Sequence, residues 1–151
     1  MKLNLQELFT YPYENDFFLR KQKSICRELS MRDNISYVDK SIALLGGSTT
    51  DTVKNILELF LLQAGIRPAF YESEYNKYYE DAVFGNPELD AFQPEIIIVF
   101  TSMVNIINKP KLGDSESQVK MLLDAEYARF ATMWESLSER YHAVIIQNNM
   151  D

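Results

Sequence analysis

The chain has 151 residues, 46% hydrophobic and 25% charged, which is the composition of one globular domain with a sizeable core. Its formal net charge of −7 gives no electrostatic basis for binding nucleic acid or an anionic membrane. A single cysteine, Cys26, excludes an internal disulfide and fits a reducing compartment, and no apolar run is long enough to span a bilayer. We therefore expect a cytoplasmic protein without nucleic-acid or membrane partners.

Residues 1–40 are predicted to form a helical segment. A short amphipathic turn over Leu3–Phe9 is broken at Tyr11-Pro12. A second helix over Asp16–Met31 carries apolar residues among basic ones, and Asn34–Lys40 is a polar connector. This segment precedes the part of the chain in which strand and helix patterns alternate.

The first strand–helix–strand unit follows from Ser41. An apolar run predicts a strand over Ile42–Leu45, and helical periodicity predicts a helix over Thr52–Ala64. Ile66–Tyr71 is predicted to be the second strand. The acidic and aromatic stretch Glu72–Phe92 predicts a short helix followed by a turn.

The second half of the chain repeats the pattern. The β-branched run within Glu95–Thr101 is typical of a buried parallel strand, and a polar loop over Ser102–Asp114 follows. Ser115 with Gln118 forms a capping box for a long helix over Glu116–Tyr141, and Ala143–Ile146 is the fourth strand. The predicted buried stripe of the long helix is Val119, Leu122, Leu123, Tyr127, Phe130, Trp134 and Leu137.

This alternation predicts an α/β fold over residues 41–151, a three-layer sandwich with a mostly parallel sheet covered on both faces. The chain stops as soon as the last strand ends, where an α/β sheet would normally continue with another crossover. We therefore expect the sequence to be the front part of a longer polypeptide.

The turn after the first strand is the most informative part of the sequence. Gly46 and Gly47 allow the backbone to approach a ligand closely, and the next residues open a helix whose first N–H groups are unpaired. We expect this turn to hold an anion or an oxyanion, with the Ser48 hydroxyl beside it.

Polar side chains follow every predicted strand, and the carboxyl ends of parallel strands share one edge of a sheet. Strands must end in polar residues in any protein, so a single polar loop carries little weight. Four successive loops favour a binding site at this edge. Its candidate substrate-binding residues are Gly46, Gly47, Thr49, Glu72, Glu74, Asn76, Thr101, Ser102 and Asn105.

Ser48 is the candidate catalytic residue, but a serine nucleophile needs a base within reach. The one histidine, His142, is predicted at the amino end of the last strand, on the opposite edge. Glu72 or Glu74 would have to serve instead. No metal-ligand spacing and no phosphate-binding glycine motif occurs, so we predict no metal site and no cofactor in this chain.

Five segments, in order along the chain, resemble the start of FkbH-like proteins, which are two-part enzymes of the haloacid-dehalogenase (HAD) superfamily. The Tyr-Glu-Ser-Glu-Tyr-Asn motif is the most specific of them. The segments are Leu44–Thr50, Leu57–Leu62, Phe70–Asn76, Phe84–Leu89 and Ile145–Asn149.

The resemblance implies an N-terminal domain similar to SGNH hydrolases, with an SGNH/flavodoxin-like fold, fused to a HAD domain that loads a glyceryl unit onto an acyl carrier protein. The HAD motif Asp-x-Asp-x-Thr is absent here, so magnesium is expected only in that missing domain. Gly46-Gly47-Ser48 stands where SGNH hydrolases have Gly-Asp-Ser. Asn105 matches their later asparagine loosely, and no Asp-x-x-His block is present.

Three functions remain open from the sequence. The first is an accessory domain that binds substrate or a carrier-bound acyl group, with an acyl carrier protein and the HAD domain as partners. The second is a serine esterase or acyltransferase with Ser48 as nucleophile. The third is a purely structural domain that orders the HAD domain. The oligomeric state is not predicted.

Overall fold

The computed structural model describes residues 5–149, without the side chain of Gln6. Leu3, predicted to belong to the first helical turn, lies outside the described residues. A 3-10 turn spans Met103–Asn105. The helices and strands are α1 Leu5–Leu8, α2 Asn15–Ser30, β1 Val38–Gly46, α3 Asp51–Gln63, β2 Ile66–Glu72, α4 Tyr78–Phe84, α5 Pro87–Phe92, β3 Ile96–Phe100, α6 Glu116–Tyr141 and β4 Val144–Gln147.

The strands form one parallel sheet in the order β2-β1-β3-β4. Gly46 at the end of β1 lies opposite Phe100 at the end of β3, and Val99 lies opposite Gln147 in β4. This confirms the predicted α/β class, with a parallel sheet flanked by helices and a helix ahead of it. The register places the carboxyl ends of β1, β3 and β4 at one edge.

The contacts divide the chain into two compact units. The sequence predicted a helical segment up to residue 40 and an α/β domain after it, and that division stays a prediction. The first unit comprises the described residues up to Lys40 together with Thr50–Phe70. Its core lies between α2 and α3, where Phe18 stacks on Phe60 with ring centroids 5.6 Å apart. The fully or almost fully buried side chains of this core are Phe18, Ile25, Leu29, Leu59 and Leu62.

The second unit comprises Ser41–Thr49 and the described residues from Tyr71 onward. Alternate residues of β1 and β3 point to one face of the sheet, where they meet α4, α5 and α6. Burying this apolar surface is what fixes the strand ends in position. The core residues are Ala43, Leu45, Tyr78, Ala82, Leu89, Ile97, Val99, Phe130, Met133, Leu137 and Tyr141.

Helix α6 buries a different stripe from the predicted one in its first half. Val119, Leu123 and Tyr127 are exposed, and the buried residues are Glu126, Phe130, Met133, Leu137 and Tyr141. A helix of 26 residues is about 39 Å long, which exceeds the length of the five-residue strand β3 beneath it. Only the second half of α6 therefore covers the sheet.

Two further elements differ from the predictions. Strand β1 begins at Val38, inside the predicted polar connector, because backbone pairing does not require apolar side chains; the Val38 N–H donates to Gly65 O at 2.9 Å. The stretch before β3 forms two helices. Asn86 caps α5 by accepting the Glu88 N–H, and Pro87 occupies the first helical position.

Candidate functional site

Two hydrogen bonds, donated by the amides of Gly46 and Gly47, hold the turn after β1 in place. Gly46 N–H donates to the hydroxyl of Ser73 at 3.0 Å, and Gly47 N–H donates to Phe100 O at 2.9 Å. These amides therefore join the end of β1 to the loop after β2 and to β3. Ser48, which is half-buried, and Thr49, which is exposed, are the residues of the turn that remain open to solvent.

Asn105 lies directly against this turn. Its side-chain Nδ2 donates to Gly47 O at 2.8 Å. A Cβ at position 47 would lie 2.4 Å from that same Nδ2 and 2.5 Å from Asn105 Cγ, closer than real atoms approach. Only glycine fits at position 47 while Asn105 keeps its place. The sequence predicted that a ligand would approach this turn, and the group that approaches Gly47 in the structure is the Asn105 side chain.

Asn105 also joins the other two loops. Its Nδ2 donates to Asn76 Oδ1 at 3.2 Å, and its Oδ1 accepts the Ser102 N–H at 2.9 Å. We call Gly47, Asn76, Ser102 and Asn105 the asparagine cluster. The loops after β1, β2 and β3 meet there. Because both Nδ2 hydrogens have acceptors, Asn105 can donate to an oxyanion only by giving one of them up.

Thr101 lies at the same edge but inside the protein. It is 1% exposed, and its N–H donates to Asn148 Oδ1 at 2.9 Å. Asn148 Nδ2 donates back to Thr101 O, and Gln147 Nε2 donates to its hydroxyl oxygen. These bonds extend the pairing of β3 with β4 by one residue, so the polar groups of Thr101 take part in holding the two strands together.

The two predicted carboxylates, Glu72 and Glu74, lie at the carboxyl end of β2. Glu74 is exposed, and its Oε2 lies 2.7 Å from the Lys77 ammonium. The hydrogen bond from Lys77 and its positive charge lower the pKa of Glu74, so this side chain stays ionised. Glu72, the last residue of β2, is half-buried.

His142 lies at the opposite edge, as the sequence predicts. It ends α6 in the left-handed conformation, with φ 49°, and is exposed just before β4 begins. Ser48 follows the other end of the parallel strand β1. Within residues 5–149, therefore, no histidine lies at the edge that carries Ser48, and a triad of the usual kind cannot form there.

A buried ion pair that the sequence did not reveal anchors the loop after β3. Glu126 Oε1 accepts from Arg129 Nη2 at 2.6 Å, and Glu126 Oε2 accepts from Asn108 N–H at 3.1 Å and Asn108 Nδ2 at 2.9 Å. Arg129 Nη2 also donates to Asn105 O at 3.0 Å. Two charges three residues apart on a helix usually indicate a solvent-exposed face, which is why the pattern gave no signal.

Electrostatics keep this pair charged. Burial by itself would raise the pKa of the Glu126 carboxyl, but the hydrogen bonds from Arg129 and Asn108 outweigh it and leave the pKa below its usual value. The Arg129 guanidinium also lies over the Tyr79 ring, 5.1 Å from its centroid. The pair thus fixes Asn105 from its backbone side.

A cavity of about 280 Å³ opens next to the asparagine cluster, in the same unit. Its lining combines amide, phenol, guanidinium and aliphatic groups. The residues are Asn76, Tyr78, Tyr79, Glu80, Val104, Asn105, Ile107 and Arg129.

Among the residues that the structure describes, no three His, Cys, Asp or Glu side chains are grouped so as to hold a metal ion. Across the same residues, none of the helices is both long enough and apolar enough to cross a membrane.

No family model and no curated protein matches the chain. In structure it is similar to the N-terminal part of the protein BF1531 from Bacteroides fragilis, in a crystal structure that contains a phosphatase domain complexed with Mg. The TM-score is 0.63, the sequence identity is 22%, and the match covers 85% of this chain. The chain spans about a third of that structure, 33% of its length. At this identity the likeness establishes the fold.

Proposed function

We propose that this chain is the accessory N-terminal domain of an FkbH-like, HAD-type phosphatase and glyceryl transferase. In this role it binds the substrate or a carrier-bound acyl group while the HAD domain handles the phosphoryl group. The observation that carries the proposal is the fold shared with the N-terminal part of a phosphatase-domain protein over 85% of the chain. The FkbH-like segments found in the sequence support the same assignment.

The asparagine cluster supports a binding role. A buried asparagine that bridges three loops holds their tips in one geometry before any ligand arrives, which lowers the entropy cost of binding. Ser48 and Thr49 would offer hydroxyls to the ligand, and Asn76 would offer its remaining amide hydrogens. Gly46 and Gly47 would shape the turn, since their amide hydrogens are already bonded.

The phosphoryl chemistry would belong to the HAD domain and its magnesium, because Asp-x-Asp-x-Thr does not occur in this sequence. The acyl carrier protein would be a partner of the two-part enzyme. The two-part enzyme and the acyl carrier protein would act in the cytoplasm.

The proposal is tested in two steps. The purified chain, given Mg²⁺ and p-nitrophenyl phosphate, is expected to release no phosphate above the buffer rate; magnesium-dependent turnover would overturn the proposal. In the two-part protein, Ser48→Ala is expected to raise the KM for the phosphorylated glycerate. Ser136→Ala, the same change at a half-buried site on α6, is the matched control and leaves KM unchanged. Equal KM values for both variants and wild type would instead favour a purely structural domain.

A serine esterase centred on Ser48 is the second candidate, favoured by the half-buried position of Ser48 directly after Gly47, whose carbonyl accepts from Asn105. Glu72, Glu74 or a residue outside this chain would have to act as its base. A fluorophosphonate probe discriminates between the two functions. Labelling of wild type that disappears in Ser48→Ala would establish the esterase, and no labelling is the result that our proposal expects.

A further inference from the structure

The cavity beside the asparagine cluster presents hydrogen-bond donors. An arginine has five N–H groups, and the network around Arg129 uses four of them, on Glu126, Asn105 O and Tyr78. One Nη1 hydrogen remains without an acceptor among the described residues. Tyr78 accepts from Arg129, so its own hydroxyl hydrogen is also free to donate. A ligand here must therefore offer an acceptor oxygen.

The charges around the cavity argue against an anion. The Arg129 charge is already compensated by Glu126 at 2.6 Å, and both side chains are almost fully buried, at 12% and 7% exposure. Glu80 adds a carboxylate to the lining. An anion would meet that carboxylate and gain little from a neutralised guanidinium. The acceptor oxygen that fits is an uncharged carbonyl.

Two aliphatic side chains of the lining are highly exposed. Val104 and Ile107 are 74% and 68% exposed in the loop after β3, and they line the cavity together with Tyr79. Covering such side chains with an aliphatic group removes apolar surface from water. A volume of about 280 Å³ lies at the small end of ligand pockets, so the aliphatic part must be short.

We infer that this cavity binds a small uncharged acyl compound, an amide or ester, whose carbonyl oxygen accepts from Arg129 and Tyr78 while its aliphatic chain lies on Val104 and Ile107. This binding specificity rests on the proposed function, in which these loops face a substrate. It adds the chemical class of compound that the loops would recognise.

The test uses three probes of nearly equal size, butanamide, butanoate and butylamine, which differ in charge. Each is titrated into the ¹⁵N-labelled chain while the backbone amides of residues 76–80 and 103–107 and the Arg129 Nε–H are followed by NMR. Butanamide is expected to cause saturable shifts there with a Kd of the order of millimolar, as suits a six-atom ligand. Butanoate and butylamine are expected to bind about tenfold more weakly or not at all.

Variants locate the binding. Val104→Ser with Ile107→Ser is expected to weaken butanamide binding about tenfold, and because both side chains are exposed the protein should remain folded. Leu112→Ser is the matched control, at a fully exposed site outside the lining, and leaves the affinity unchanged.

Three outcomes would overturn the inference: no saturable shifts with butanamide, tighter binding of butanoate than of butanamide, or equal loss in the control variant. Each of them would leave the phosphatase and KM experiments above unaffected, so a failure of the cavity assignment is distinguishable from a failure of the proposed function.

Discussion

Replacing Gly47 by alanine tests the asparagine cluster most sharply. The new methyl group would lie 2.4 Å from Asn105 Nδ2 and 2.5 Å from its Cγ and Oδ1. The φ of Gly47 lies outside the left-handed region, so alanine meets no backbone strain there. The cost of the substitution is therefore the cost of moving the Asn105 side chain.

That cost follows from the bonds that Asn105 makes. Moving its side chain breaks the bonds to Gly47 O, to Asn76 and from Ser102 N–H, in a residue that is 8% exposed. Each such bond contributes about 1 kcal/mol, and a buried polar group left without a partner costs more. We expect Gly47→Ala to lower the free energy of unfolding by about 2–4 kcal/mol. In urea this corresponds to a midpoint lower by roughly 1–2 M.

A double-mutant cycle separates this cause from any general intolerance at the turn. Asn105→Ala removes the three atoms that the methyl group would strike. In that background Gly47→Ala is expected to cost less than about 1 kcal/mol, so the two substitutions couple by about 2 kcal/mol. The assay is urea unfolding of the four proteins, followed by circular dichroism. Additive costs, with Gly47→Ala equally destabilising in both backgrounds, would show that the Asn105 side chain is not what excludes alanine at position 47.

The other predictions concern single side chains. Glu126→Gln should make the free energy of unfolding less dependent on acid pH. The depressed pKa of Glu126 contributes stability that is fully present above about pH 5 and is lost as the pH falls through the pKa of the folded protein. Urea unfolding at a series of pH values measures this. Burial and Asp81 raise the pKa of Tyr71 to about 12, so stability should fall as the pH rises from about 10, where the unfolded chain releases its proton first. Tyr71→Phe should flatten this alkaline loss in the same assay. Ser73→Ala leaves the Gly46 N–H without its acceptor and should cost about 1–3 kcal/mol in thermal or urea unfolding.

The sequence predicted the sheet well because its signals are local. An unbroken run such as Ile96–Val99 specifies a buried strand, and the Ser115 capping box specifies where α6 begins, as the mutual bonds with Gln118 confirm. The two glycines of the β1 turn predicted the approach of a ligand, whereas in the structure it is the Asn105 side chain that lies against Gly47.

The hydrogen bonds that the sequence could not predict join residues that are far apart in the chain. Ser73 accepts from Gly46 across 27 residues, and Arg129 reaches Asn105 across 24. Neither pairing leaves a periodic pattern. The predicted buried stripe of α6 was wrong in the first half of the helix for a similar reason. Amphipathic periodicity shows which residues share a helix face, but the length of the sheet decides which of them are covered.

The asparagine cluster itself can be observed directly in solution. In an NMR spectrum of the ¹⁵N-labelled chain, we expect two resolved Asn105 side-chain amide protons that exchange slowly with water. They should show nuclear Overhauser contacts to Gly47 and Asn76. Rapidly exchanging Asn105 amide protons without those contacts would contradict the claim that the loops after β1, β2 and β3 meet at this residue.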